Sequence, residues 1–151
     1  MNEKGQVTDE VPLKILDVAG GTGDISFKIH TKAKKESMYG PIPVDITVSD
    51  INPQMLAVGE QRAKEQGIYA DLKFLEANAE TIPSISDDSY DLYTIAFGIW
   101  NVSDRDKALR EAYWVLRRGG RFMCLEFSEV TIPVFKEMYD LYSFNVIPLI
   151  G

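Results

Sequence analysis

Cysteine is almost absent. Cys124 stands alone, so no disulfide can form within the chain, and nothing points to an oxidising compartment. Cations are scarce too, with 16 Lys and Arg against 23 Asp and Glu and a net charge of −7. A phosphate backbone selects for a basic field, so this balance argues against nucleic acid as a partner. No apolar run reaches the ~18 residues of a membrane span. Residues 1–12 are polar, with neither a secretory apolar core nor an Arg-rich transit pattern, and read as a disordered or trimmed edge. Internal repeats and low-complexity tracts are missing. What remains is 151 residues, 45% hydrophobic and 26% charged, the size and balance of one folded domain.

The chain alternates strands with helices. Apolar, β-branched runs predict strands over 13–19, 45–49, 72–77, 91–97 and 121–127. Helical periodicity covers 24–37, with Asp24 in its first turn, and 53–66, opened by Asn52-Pro53 and closed by Gly67. A third helix is predicted over 103–118, capped by Ser103 and ended by Gly119 and Gly120. The fold class expected is α/β, a doubly wound, mostly parallel sheet. Residues 80–90 hold no clear helix and make the weakest connection. An apolar, aromatic stretch over 134–150 fits an amphipathic helix. With no strand after it, the chain reads as residues 13–151 of one domain, truncated after its fifth strand.

The most specific stretch is Asp17-Val-Ala-Gly-Gly-Thr-Gly-Asp24, between a buried strand and a helix. Its glycines let a ligand approach the backbone, and the helix start favours a carboxylate or phosphate. A dinucleotide fingerprint set on Gly21-Thr22-Gly23 puts Ser26 at its third small position, which serine can fill. Asp17 and Asp24 argue more strongly against a pyrophosphate and suit the cationic methionine end of S-adenosylmethionine. Asp50, 27 residues after Gly23, can accept both hydroxyls of a ribose in either cofactor, or cap the helix at Pro53. Asn78 and Ala79 offer an amide and a backbone N–H to an adenine edge. Cys124 reads as core, and His30 as a surface or packing residue.

DVAGGTGD, SDINPQML (49–56), ANAETIP (77–83), FGIWNVSDRDKAL (97–109), LRRGGRFMCLEFS (116–128) and YDLYSFNVIPLIG (139–151) together resemble one family. It is the C-methyltransferases of ubiquinone and menaquinone synthesis, and the likeness runs from Lys14 to Gly151. The insert over 32–43 is more similar to eukaryotic, mitochondrial members. The resemblance implies a class I methyltransferase fold with S-adenosylmethionine over Gly20, Gly21, Thr22 and Gly23. It places Asp17 nearby, Asp50 on the ribose, and Asn78 and Ala79 at the adenine, with no metal.

The same resemblance implies methylation of a ring carbon of a polyprenyl benzoquinol. It further implies partner proteins of ubiquinone synthesis in a complex, a homodimer, and peripheral contact with the matrix side of the mitochondrial inner membrane. Trp100, Asn101 and Glu126 are the candidate catalytic residues. Trp100 departs from the family, which reads F-G-[IL]-R-N there, and an indole cannot hold a phenolate or polarise a water as an arginine can. Two other readings stand beside it: a fragment that binds cofactor with little activity, and a nicotinamide-binding oxidoreductase domain.

Overall fold

The computed structural model describes residues 11–35 and 40–127. Residues 1–10 of the predicted edge at 1–12 and the aromatic stretch at 134–150 lie outside these. Five strands form one sheet: β1 (Leu13–Val18), β2 (Val44–Asp50), β3 (Leu72–Glu76), β4 (Tyr90–Ala96) and β5 (Leu116–Leu125). Their order is β3-β2-β1-β4-β5, and every neighbouring pair is parallel. The chain moves outward from β1 to β3, then crosses back to place β4 on the other side of β1. The strand order therefore reverses between β1 and β4, where open α/β sheets hold their ligands.

Alternation along each strand sorts the core into two layers. Ile15, Ile46 and Val48 face α1 (Asp24–Lys35) and α2 (Pro53–Glu65), packing with Phe27, Leu56 and Ala63. Leu16, Val18, Tyr93 and Ile95 face α3 (Arg105–Val115), packing with Ala108, Ala112 and Val115. Burying each large aliphatic side chain contributes about 1.5–3 kcal/mol. Both layers are needed because a parallel sheet is apolar on both sides. Among the described residues no helix is long and apolar enough to cross a membrane.

Local chemistry sets the helix ends. Asn52 Oδ1 accepts from the N–H groups of Gln54 at 3.0 Å and Met55 at 3.3 Å, with Pro53 as the first helical residue. The αL position after α2 is Gly67, at φ +69°, as the sequence predicts. The start of α3 differs from expectation. Asp104, not Ser103, is the cap, accepting from Lys107 N–H at 2.9 Å. Ser103 and Asp104 instead donate their N–H groups to Glu80 Oε1 at 3.1 and 3.0 Å.

The end of α3 differs as well. Extended backbone at Leu116 pairs with Tyr90, so the helix stops before Gly119 and Gly120. Arg117–Gly120 then form a bulge, and pairing resumes at Leu92–Arg121. Arg117 fixes the bulge by an ion pair with Asp91 at 2.9 Å. Connection 77–89 holds no helix and fills the core with Ile82, whose N–H donates to Glu111 Oε1 on α3 at 2.7 Å.

Cys124 is exposed rather than core. It lies on β5, the edge strand of the described sheet, where no described element packs over the outer positions. His30 is buried within α1, with Nε2 2.8 Å from Asp71 Oδ2, and Lys34 Nζ lies 3.1 Å from the same oxygen.

Candidate functional site

The carboxyl ends of β1, β2 and β3 meet the segment after β4 around a cleft of about 130 Å³. Its walls include Ala19, Asp50, Asn78, Ala79, Gly98 and Asn101. Parallel strands put all these tips on one rim although they are distant in sequence.

The turn after β1 is built from backbone bonds that exclude side chains. Gly20 N–H donates to Ser49 O at 3.0 Å, and Gly23 N–H to Gly20 O at 2.8 Å. A Cβ at Gly20 would lie 2.7 Å from Val48 Cγ1. Gly23 sits at φ +84°, a conformation that only glycine adopts without strain. Thr22 Oγ1 donates to Asp24 Oδ2 at 2.9 Å.

Asp50 is tied into this turn. Its Oδ2 accepts from Gly21 N–H and its Oδ1 from Asn52 N–H, both at 2.9 Å. A carboxylate has about four lone-pair sites, so two bonds leave acceptor capacity beside the cleft. The cap of α2 is the Asn52 side chain, and Asp50 adds only the bond to the Asn52 backbone. Across the rim, Asn78 Oδ1 accepts from Glu80 N–H at 2.9 Å, and its NH₂ has no partner among the described residues. Asn101 N–H donates to Gly98 O at 3.0 Å.

The other two loop carboxylates point elsewhere. Asp17 is fully buried beneath the turn and accepts from Ser26 Oγ at 2.6 Å and Thr94 Oγ1 at 2.7 Å. Burial pushes its carboxyl above the ordinary range, against the pull of those hydroxyls. Asp24 pairs with Arg62 at 2.8 Å, and that hydrogen bond, with one from Thr22, holds its carboxyl low. Neither lines the cleft, contrary to the expectation that both carboxylates face a cationic ligand. The acidic side chains on its walls are Asp50 and Glu80.

Glu80 and Ile51 were not singled out as site residues by sequence, Gly98 entered only within the segment after β4, and Ser103 only as a helix cap. Only the parallel register brings them to this rim, and Gly98 alone had a local signal, a glycine directly after a strand. Ala19 at φ +54° and Phe97 at φ +57° are strained positions directly after β1 and β4. Trp100 is 66% exposed. Glu126 accepts from Ile99 N–H at 2.9 Å, which supports the turn before Trp100, and it is not on the cleft wall.

Solved structures share this fold. YcgJ from Bacillus subtilis superposes with a TM-score of 0.68 at 25% identity, over 90% of this chain and 53% of its own. The citrinin polyketide synthase CMeT domain gives 0.68 at 23% identity, over 91% and 35%. CalH, a trans-methyltransferase solved with SAH, gives 0.67 at 16%, over 82% and 34%.

By sequence, ubiquinone/menaquinone biosynthesis C-methyltransferase UbiE of Brucella suis is 54% identical over 136 residues, 90% of this chain and 48% of the relative. The same enzyme of Bartonella tribocorum is 54% identical over 138 residues, 91% and 50%. The chain thus spans about half the length of the curated relatives it matches. Residues 3–151 match the model of the ubiE/COQ5 methyltransferase family, and this chain belongs to that family.

Proposed function

We propose that residues 13–151 are the S-adenosylmethionine-binding domain of a C-methyltransferase acting on a ring carbon of a polyprenyl benzoquinol in ubiquinone synthesis. The observation that carries it is Asp50, held at the tip of β2 by Gly21 and Asn52 with acceptor capacity left beside the cleft.

The residues present fit the cofactor. Gly20, Gly21, Thr22 and Gly23 form a turn that side chains would fill, suited to the methionine portion. Asp50 would accept the ribose hydroxyls, and the free amide of Asn78 with the backbone at Ala79 would meet the adenine edge. Ile51, 67% exposed, offers that ring an apolar wall. Asp17 would act from below, holding Ser26 and Thr94 and thereby the turn.

When bound, the cofactor supplies a methyl group on a sulfonium. The protein's part is to align the acceptor carbon and exclude water, because charge disappears in the transition state. Asn101 lies on the cleft wall formed by the segment after β4. Glu126 sets the turn that carries Trp100 and Asn101.

Contacts with other proteins of ubiquinone synthesis, with a second copy and with a membrane surface rest on the resemblance. A mitochondrial setting rests on the insert at 32–43, whereas the matched relatives are bacterial. Imaging of a tagged chain tests it. Calorimetry with S-adenosylhomocysteine and with NADH tests the central reading. Binding of the former is expected, and binding of NADH alone overturns it.

A further inference from the structure

The segment following β4 carries a cation that the cofactor site leaves unused. The Arg105 guanidinium lies 4.8 Å from the centroid of the exposed Trp100 ring. Its N–H groups make no hydrogen bond or ion pair among the described residues. The carboxylates of this region bind backbone N–H groups instead: Asp104 accepts from Lys107, Glu80 from Ser103 and Asp104, and Glu126 from Ile99. Asp106, next in sequence, forms no ion pair with Arg105 among the described residues.

The indole therefore holds a planar, permanently charged group whose donors are free to meet a ligand. The segment under it is clamped, since Phe97 N–H donates to Leu125 O at 2.8 Å and Glu126 ties Ile99. Phe97, φ +57°, stacks on Phe127 with centroids 4.9 Å apart, and both rings are exposed. Four residues of the segment, Gly98, Asn101, Val102 and Ser103, form cleft wall. Trp100 and Arg105 thus stand among and beside these wall residues in the chain, with the Trp100 ring exposed.

We propose that Arg105, laid on Trp100, binds the ring oxygen of the acceptor in its deprotonated form, an inference that rests on the methyltransferase reading above. A hydroxyl-bearing ring gains nucleophilic carbon when the O–H proton leaves. A guanidinium takes no proton, so the proton goes to water and the oxygen anion stays on the two-pronged donor. Arg105 is a substrate-binding group and Trp100 its positioning residue.

The probe is 2-methoxy-4-nitrophenol, whose anion absorbs visible light. Bound to the chain, it should titrate about one unit lower than when free, the effect of a neighbouring cation. Arg105→Gln should abolish the shift, Arg105→Lys should keep part of it, and Trp100→Ala should reduce it. S-adenosylhomocysteine affinity should be equal in all four proteins. An undiminished shift in Arg105→Gln, or a wild-type chain that does not bind the phenol, overturns the proposal while leaving the cofactor reading intact. A phenol shift lost in Arg105→Gln, in a protein that does not bind S-adenosylhomocysteine, supports the Arg105 site and overturns the cofactor reading.

Discussion

Ala19 and Gly98 touch across the junction of β1 and β4, and the Ala19 methyl occupies the space that a Cβ at position 98 would need. The two strand tips therefore share room for one side-chain carbon. Ala19 holds it while strained at φ +54°, and the cleft opens beside the pair.

Gly98→Ala should destabilise the chain by about 1–3 kcal/mol, the usual cost of an overpacked site. Ala19→Gly removes the opposing methyl and relieves the positive φ, so the double variant should recover most of that loss. Urea unfolding of the four proteins measures this coupling. Simply additive effects would show that the two positions do not compete for space.

Asp50→Ala should weaken S-adenosylhomocysteine by about ten- to a hundredfold, since hydrogen bonds to a charged group contribute about 1.5–3 kcal/mol. Asp50→Asn keeps an oxygen for Gly21 N–H and should preserve the fold while losing affinity. Wild-type affinity in both variants would reduce Asp50 to a brace for the glycine turn.

Asp17 predicts a pH signature. Burial raises its folded-state carboxyl above the ordinary 3.8, so the native state holds the proton more tightly than the unfolded chain. Stability from this group is therefore present below the unfolded value and is lost as pH rises through the folded one. Asp17→Asn removes the titration, and the melting temperature of the variant relative to wild type should climb from pH 4 upward. A difference that stays flat with pH would contradict it.

Glu126 separates two roles. As a brace for Ile99 N–H, Glu126→Gln should retain nearly full turnover and Glu126→Ala should lose it through a raised acceptor KM. A general base would make both variants equally poor, with kcat down about 10²–10⁴-fold. Steady-state kinetics on a short-chain quinol decides between them.

Much of the fold was legible in the chain because its signals are local. Buried runs mark the strands, Asn52-Pro53 and Gly67 mark α2, and alternation such as that of Ile15 with Leu16 assigns the two layers. The glycine turn and Asp50 were equally visible, since both depend on backbone conformation and on the position directly after a strand. The end of α3 was misread because Leu116 pairs with Tyr90, a contact that no local propensity encodes.

The direction of charged side chains was decided only in three dimensions. Asp17 and Asp24 flank the glycines in sequence, yet one is drawn under the turn by Ser26 and Thr94 and the other outward by Arg62, partners 9, 77 and 38 residues away. Glu80, Gly98 and Ser103 reach the cleft through strand order alone. The sequence by itself determined the α/β class, the glycine turn and the strand-tip carboxylate, because short-range conformational preference suffices for each. Tertiary structure decided which carboxylates line the cleft and which are drawn away from it, because those outcomes depend on distant partners that only the parallel sheet brings into reach.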